Sequence, residues 1–214
     1  MSNQEKTVSY TTTNTYETLN SLTNKTKNIW IVLHGIGYLS RYFIKHFDSL
    51  PAEENYIIAP QAPSKYYLNN KYRRVGSSWL TKENTSLETK NVLNYLNKVY
   101  QQEGITDQHN VIILGYSQGV SIASRWICYS KIPCNHLVLY GGIIPKELTK
   151  ENFSNLIDNK TKITFFIGDK DEYITEAKRI LEEKRIQLLF DGKVNVIVYD
   201  GEHAIKKEII ESLV

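Results

Sequence analysis

Apolar runs and amphipathic stretches alternate along the chain from residue 29 onward. Short runs rich in β-branched residues predict strands at 29–33, 56–59, 111–114, 136–140, 163–167 and 194–199, of which those at 29–33, 111–114 and 136–140 are typical of buried strands. Apolar residues at helical spacing predict helices between and after them, at 39–50, 83–102, 146–158, 175–190 and 205–213 and directly after residue 118. This alternation predicts a mainly parallel, twisted sheet with helices on both faces. In such sheets, functional residues lie at the carboxyl ends of the strands.

Two stretches depart from this pattern. Residues 7–19 alternate apolar and polar positions and are rich in threonine, which predicts one or two strands. We expect residues 1–27 to supply a strand or an antiparallel hairpin at the sheet edge. Residues 64–80 predict a long loop, of a length that is uncommon unless the loop lines or covers a site. No linker or repeat divides the sequence, so we expect one domain over residues 1–214.

The composition narrows the class of protein without naming a function. The 214 residues are 41% hydrophobic and 23% charged, with a net charge of +3, as in ordinary globular proteins. The compact basic cluster Lys71-Tyr72-Arg73-Arg74 is interpreted as a solvated loop rather than a nucleic-acid patch. The 15 tyrosines are interpreted as a composition bias without function.

The cellular compartment is inferred from the cysteines and the N-terminus. Cys128 and Cys134 have no spacing that suggests a disulfide framework or a metal site, which favours a reducing compartment. The polar residues 1–6 do not resemble a secretory signal. No run of about 18 apolar residues predicts a membrane span. We therefore expect a cytoplasmic protein, without choosing between a monomer and a homodimer.

The central motif is Gly115-Tyr116-Ser117-Gln118-Gly119, between a predicted strand and a predicted helix. A serine on so sharp a strand-to-helix turn needs neighbours without Cβ, because strand and helix cross closely there. Such an elbow exposes the serine hydroxyl above the sheet edge, at a helix N-terminus. Ser117 is therefore the predicted nucleophile.

A serine hydroxyl needs a base, and the base needs a carboxylate that fixes its tautomer. His203 follows the last predicted strand and is the expected base. His34 also follows a strand but precedes the serine, so it is expected to shape a neighbouring loop. The remaining histidines lie in a predicted helix or before strands: His46, His109 and His136. For the acid, Asp169 and Asp171 both follow the 163–167 strand, and the position of each within the turn leaves both open.

Main-chain donors must face the negative charge that develops during attack on a carbonyl. The expected donors are the N–H of Gln118, directly after the nucleophile, and the N–H of Ile36, in the loop after the first buried strand. No His or Cys pair has metal-ligand spacing, and no phosphate-binding glycine motif follows that strand. We therefore expect neither a metal nor a cofactor.

Several motifs occur in an order that resembles a known family. They are His34-Gly35-Ile36-Gly37, Pro60-Gln61-Ala62-Pro63, Ser78-Trp79, the elbow, Gly168-x-x-Asp171 and Gly201-Glu202-His203. Over about residues 28–210 the chain resembles the phospholipase/carboxylesterase family of compact serine hydrolases. The resemblance implies the α/β-hydrolase fold without a large lid domain, no cofactor, and hydrolysis of carboxylic esters or thioesters. It also implies Asp171 as the acid, which completes a triad with Ser117 and His203.

The expected function is a serine esterase that acts on a small-molecule acyl ester. Tyr38, Tyr66, Tyr67 and Trp79 are the expected pocket residues. An acyl-thioesterase or a peptidase could use the same triad, and the sequence does not separate these leaving groups. A non-catalytic binding protein on the same scaffold would usually have lost Ser, Asp or His, and all three are present. No nucleic-acid partner is expected.

Overall fold

The computed structural model describes residues 3–106 and 108–214. The strands are β1 (Tyr16–Leu19), β2 (Asn28–Leu33), β3 (Asn55–Pro60), β4 (Ser64–Tyr67), β5 (Val75–Ser78), β6 (Asn110–Tyr116), β7 (His136–Tyr140), β8 (Lys162–Gly168) and β9 (Asn195–Tyr199). The helices are α1 (Ser40–Phe43), α2 (Thr85–Gln102), α3 (Gln118–Ser130), α4 (Ser154–Asp158), α5 (Glu176–Leu189) and α6 (Lys207–Glu211). Short 3₁₀ turns follow α1 (Ile44–Phe47) and precede α4 (Lys150–Phe153).

Within the described residues, seven strands form one sheet in the order β1-β3-β2-β6-β7-β8-β9. β1 is antiparallel to β3, and every other neighbouring pair is parallel. Parallel strands joined by helices bring their carboxyl ends to one edge of the sheet. The ends of β2, β6, β8 and β9 therefore deliver the predicted site segments to the same edge.

Both faces of the five inner strands are buried, as continuous apolar runs predict, whereas the edge strands β1 and β9 are only partly covered. Along β2, Ile29 and Ile31 pack in the cluster that contains residues of α2, α3 and α5, whereas Trp30 and Val32 pack in the cluster that contains residues of α1 and α6. The prediction of a mainly parallel sheet with helices on both faces is confirmed. Among the described helices, none is long and apolar enough to cross a membrane.

Of the two alternatives expected for the N-terminal segment, the structure shows the single edge strand. β1 lies at the sheet edge, but it pairs with β3 rather than with a neighbouring strand in residues 1–27. Residues 7–15, all of them described, form neither helix nor strand. The threonine-rich alternation in this segment therefore overstated its tendency to form a strand, because strand propensity depends on a packing partner.

The long loop expected at 64–80 is wrong, because the segment contains the antiparallel hairpin of β4 and β5. All four β4 residues are exposed, so no apolar–polar alternation marked that strand. β5 packs against the loop after β2 so closely that a Cβ on Gly76 would lie 2.5 Å from the Gly37 carbonyl oxygen. The helices expected at 39–50 and 146–158 are short helices joined to 3₁₀ turns.

Candidate active site

Ser117 lies between the last residue of β6 and the first residue of α3. Its backbone has φ 53° and ψ −116°, a conformation that a residue with a side chain rarely adopts. Two glycines make the turn possible. A Cβ on Gly119 would lie 2.0 Å from the Leu33 carbonyl oxygen, and one on Gly115 would lie 2.4 Å from the Gly119 carbonyl oxygen. The motif glycines are thus required by direct backbone contact.

The structure brings Ser117, His203 and Asp171 together. The Ser117 Oγ lies 2.9 Å from His203 Nε2, and His203 Nδ1 lies 2.7 Å from Asp171 Oδ2. The side chain of Asp171 is fully buried, whereas that of His203 is 13% exposed. Because an ionised carboxylate only accepts hydrogen bonds, Asp171 favours the tautomer with the proton on Nδ1. Nε2 is then free to accept the serine proton.

The segment after Asp171 also holds that carboxylate in place. Its second oxygen, Oδ1, accepts backbone N–H bonds from Tyr173 at 2.9 Å and from Ile174 at 3.2 Å. Both oxygens are therefore used, one by the turn and one by the imidazole. This arrangement fixes the carboxylate relative to the ring of His203.

Asp169, the rival acid, makes a different contact. Its Oδ1 accepts the Gly201 N–H at 2.8 Å, so it joins the segment after β8 to the segment that carries His203. Asp200 is exposed and pairs with Lys170. Within the described residues, neither Asp169 nor Asp200 forms a hydrogen bond with the His203 ring. Asp171 is therefore the acidic partner of that ring.

His34 is fully buried beneath the loop after β2. Its Nδ1 donates to the Gly35 carbonyl at 2.8 Å, and its Nε2 accepts the Ala62 N–H at 3.2 Å. Burial lowers the pKa of His34 to about 4, so the ring stays neutral near neutral pH. His34 therefore joins the loop after β2 to Ala62 and lies outside the cavity wall.

A buried amide in the predicted strand-end segment 60–63 supports the same loop, a role that the sequence did not specify. Gln61 Oε1 accepts bonds from the N–H and the hydroxyl of Ser40, and Gln61 Nε2 donates to Ser77 Oγ at 2.7 Å. Ser77 Oγ in turn donates to the Tyr38 carbonyl at 2.7 Å. The signal was present in the Pro60-Gln61-Ala62-Pro63 motif, where a polar residue stands between apolar neighbours at a strand end.

The side chain of Gln118 joins the elbow to the segment after β5. Its Oε1 accepts the Trp79 N–H at 2.9 Å, while its Nε2 donates to the Leu80 carbonyl at 2.8 Å and to Ser78 Oγ at 3.0 Å. Trp79 is itself buried and donates its indole N–H to the His34 carbonyl at 2.8 Å. One glutamine side chain therefore ties the start of α3 to the β4–β5 hairpin.

A cavity of about 510 Å³ opens beside the serine. Its wall contains Ser117, His203 and both residues expected to provide main-chain donors, Ile36 and Gln118. Within the described chain, no protein acceptor is recorded for the backbone N–H of either donor residue. A serine hydroxyl, an imidazole and two backbone N–H groups without a protein acceptor in the described chain therefore border one cavity, an arrangement that could serve acyl transfer.

Of the four expected pocket residues, one lies in the cavity wall and three do not. Tyr38 lines the cavity and meets the ring of Tyr116 edge-on, with centroids 6.1 Å apart. Trp79 does not line it, because its indole is buried beneath the loop. Tyr66 and Tyr67 lie on the hairpin, 40% and 55% exposed, and are likewise absent from the wall. The expectation is thus corrected for Trp79, Tyr66 and Tyr67.

The opposite wall comes from residues that sequence reasoning missed. They follow the ends of β7 and β8 and include Ile143, Glu172, Tyr173 and Ile174. Their positions after strands were the available signal, but no motif distinguished them from ordinary turn residues. This wall is mainly apolar, and Glu172 supplies its one carboxylate, because Asp171 is buried behind it.

No cluster of three or more potential metal ligands occurs in residues 3–106 and 108–214. Cys128 and Cys134 are both buried free thiols. Burial raises the pKa of each thiol to about 12, so neither is a reactive thiolate near neutral pH.

Comparisons with known proteins bear on the family and the fold. The model of the phospholipase/carboxylesterase family matches residues 14–214. A search of the curated proteins found no match. One similar solved structure is acyl-protein thioesterase 2 of Zea mays, 13% identical with a TM-score of 0.70, covering 94% of this chain and 96% of that one.

Two bacterial structures are also similar. A phospholipase/carboxylesterase of Dyadobacter fermentans is 19% identical with a TM-score of 0.65, covering 95% of this chain and 97% of that one. The carboxylesterase of Bacillus cereus is 15% identical with a TM-score of 0.63, covering 94% and 91%. At such identities the likeness shows a shared fold. The expected α/β-hydrolase fold is confirmed.

Proposed function

Because the chain belongs to the phospholipase/carboxylesterase family, we propose that it is a serine hydrolase that cleaves carboxylic esters through an acyl-enzyme. Family membership supports hydrolysis of esters or thioesters in general. The observation that carries the finer proposal is the hydrogen-bonded series from Ser117 Oγ through both nitrogens of His203 to Asp171. The segments that supply these residues belong to one sheet, so we also propose that residues 1–214 act as one catalytic domain.

In the first half-reaction, the Ser117 oxygen attacks the acyl carbon while His203 Nε2 takes the hydroxyl proton. Asp171, which is hydrogen-bonded to Nδ1, stabilises the imidazolium that forms. The tetrahedral intermediate collapses when the bond to the leaving group breaks, and the leaving alcohol takes the proton from Nε2. Water then attacks the acyl-enzyme with the same base, which releases the acid and restores Ser117.

The backbone N–H groups of Ile36 and Gln118 are the proposed donors to the oxyanion. Gln118 is the first residue of the 13-residue helix α3, so its N–H lies at the positive end of the helix dipole. A donor of this kind is worth about 3 kcal/mol in the transition state. Because both donors are main-chain groups, the side chains at these positions can differ among enzymes with the same chemistry.

The proposed substrate is a small acyl ester. The cavity wall beside Ser117 combines Ile36, Tyr38, Ile143 and Tyr173, which suit an apolar acyl group better than a charged one. An acyl-thioester is the second candidate, because the fold is similar to that of the maize acyl-protein thioesterase 2. Both substrates pass through the same acyl-enzyme and differ only in the leaving group.

A substrate panel tests this proposal. p-Nitrophenyl esters and matched acyl thioesters, from acetyl to palmitoyl, should be hydrolysed by the protein and not by Ser117→Ala, with a loss of at least about 10⁴-fold in kcat. Ser130→Ala, at the other end of α3, is the matched serine control and should retain the wild-type rate. Equal rates for Ser117→Ala and wild type would refute the proposal. A higher kcat/KM for thioesters than for esters at every chain length would move the assignment to a thioesterase.

A further inference from the structure

His203 lies in a segment without regular structure. Residues 200–206, between β9 and α6, form neither helix nor strand, and all of them are described. The backbone bonds inside the segment include one from the Ala204 N–H to the Glu202 carbonyl at 2.8 Å. Something other than a sheet or a helix must therefore hold the imidazole within reach of both Ser117 and Asp171.

Three tyrosine hydroxyls bind the carbonyls of this segment. Tyr116 Oη donates to the His203 carbonyl at 2.9 Å, and Tyr140 Oη donates to the Ala204 carbonyl at 3.1 Å. Tyr199 Oη lies 3.1 Å from the carbonyl oxygens of both Glu202 and Ala204. Three consecutive carbonyls, those of residues 202–204, thus receive phenol donors.

These tyrosines, here called the tyrosine triplet (Tyr116, Tyr140 and Tyr199), occupy equivalent places in the fold. Each is the last residue of its strand, β6, β7 and β9 respectively. Tyr116 and Tyr140 belong to the hydrophobic cluster that contains residues of α1 and α6, and Tyr199 packs against that cluster. Neighbouring rings have centroids 5.8 Å and 5.5 Å apart, so the rings support one another.

We propose that the tyrosine triplet consists of positioning residues that fix the backbone of residues 202–204 and thereby hold His203 between Ser117 and Asp171. This inference rests on the proposed function and adds residues to it. The hydroxyls act through the His203 segment and do not touch the reacting atoms. The ring of Tyr116 also lines the cavity, so the other two members separate positioning from substrate contact more cleanly.

The chemistry of the phenol suits this task. A tyrosine has few rotatable bonds, and a ring packed in the core presents its hydroxyl at a fixed point. Burial raises the pKa of all three hydroxyls above the ordinary value, so they stay protonated donors at any pH used for assays. Tyr140 Oη also accepts the Lys206 N–H at 3.1 Å, which joins the end of the segment to the same anchor.

The proposed test compares Tyr140→Phe/Tyr199→Phe with Tyr56→Phe. Tyr56 donates a similar bond to Glu103 Oε2 at 2.7 Å, at the amino end of β3 and outside the cavity wall, so it controls for the loss of a phenol hydrogen bond. The double variant should lower kcat for a p-nitrophenyl ester about 10- to 100-fold, since misplacement of about 1 Å has this effect. KM should change by less than about twofold, and the control should retain the wild-type kcat.

Combining the tyrosine changes with His203→Ala gives the decisive readout. A positioning residue acts through His203, so the same tyrosine changes should have no further effect on the residual fluorophosphonate labelling of His203→Ala. An equal fold-loss in both backgrounds would overturn the inference in favour of general packing. An unchanged kcat in the double variant, or an equal loss in Tyr56→Phe, would overturn it as well.

A readout independent of turnover separates this inference from the proposed function. In NMR spectra, the imidazole Nδ1–H that faces Asp171 should give a protected signal in wild type and in Tyr56→Phe, and a broadened or absent one in the double variant. If wild type does not react with fluorophosphonate, the proposed function fails. If wild type reacts but the Nδ1–H signal and kcat are unchanged in the double variant, the inference alone fails.

Discussion

The two halves of the site are positioned by different means. Ser117 is held by the backbone, because a strand ends and a helix begins on either side of it and glycines allow the two to cross. His203 is held mainly by side chains, because its segment is irregular: Asp171 binds its ring, Tyr173 packs against that ring, and the tyrosine triplet binds the carbonyls of residues 202–204. A position set by the backbone restricts the residue types around it, whereas a position set by side chains can be built in several ways.

This difference predicts different consequences of mutation. Around Ser117, a substitution should disturb the close packing of β2, β6 and α3 and reduce stability. Around Asp171 and His203, a substitution should mainly move or unpair the imidazole and reduce turnover. The following variants test that division, in order of decreasing expected effect.

The largest expected effect is the loss of the carboxylate beside His203. Asp171→Asn should lower kcat by about 10⁴-fold, because an amide at this position no longer favours the productive imidazole tautomer. Asp169→Asn is the matched control and should lose far less, since Asp169 binds the Gly201 N–H instead of the ring. Steady-state kinetics on one ester would check both variants. The reverse ranking would move the acid from Asp171 to Asp169.

On the serine side, Gly119→Ala should cost about 3 kcal/mol or more in the free energy of unfolding, because its Cβ would meet the Leu33 carbonyl oxygen at 2.0 Å. Gly192→Ala is the control, since its Cβ would meet nothing within 4 Å and its φ of 72° costs about 1–2 kcal/mol of backbone strain. Denaturant titrations measure both. Equal losses would mean that the elbow can relax around a side chain.

Acid should reduce the free energy of unfolding of the protein because His34, beneath the loop on the serine side of the site, is buried in its neutral form. Its pKa is lowered from 6.5 to about 4 in the folded protein, so below pH 6.5 the unfolded chain binds a proton that the folded chain refuses. The contribution of His34 to the free energy of unfolding is therefore constant above pH 6.5. It falls by up to about 3 kcal/mol as the pH approaches 4. His34→Gln should show a shallower pH dependence in unfolding experiments at pH 7 and 4.5 than wild type.

His136 is a matched control for this acid effect. It is buried at the start of β7 with its pKa also lowered to about 4, so His136→Gln should flatten the profile by a similar amount without touching the site. If His34→Gln kept the full wild-type pH slope while His136→Gln reduced it, His34 would not be the buried neutral imidazole described above.

The smallest effect concerns the Gln118 side chain. Gln118→Ala removes the acceptor for the Trp79 N–H and the donor to the Leu80 carbonyl, which should cost about 2 kcal/mol of unfolding free energy. Its backbone N–H remains, so kcat should fall much less than in Asp171→Asn. A loss of about 100-fold in kcat with unchanged stability would instead assign the amide side chain a direct part in transition-state stabilisation.

The same contrast explains what the sequence could predict. The inner strands of the main sheet, β2, β3, β6, β7 and β8, were predictable because both of their faces are buried, which produces continuous apolar runs. The elbow was predictable because close backbone contacts demand glycine at 115 and 119. The segments that carry Asp171 and His203 followed from the rule that parallel strands end at one edge.

The remaining features depend on contacts between distant residues. The hydroxyl of Tyr116 and the carbonyl it binds lie 87 positions apart, so nothing local marked Tyr116, Tyr140 and Tyr199 among the 15 tyrosines. Trp79 was taken for a pocket residue because its burial depends on His34 and Gln118. The β4–β5 hairpin escaped prediction because β4 is exposed on both faces.

The central claim is that Ser117 is a nucleophile activated by His203, and intact-protein mass spectrometry after fluorophosphonate treatment tests it most directly. The account predicts that wild type gains one phosphonyl group, that peptide mapping locates it on Ser117, and that Ser117→Ala gains none. An unlabelled wild-type protein, or equal labelling of Ser117→Ala, would contradict the account.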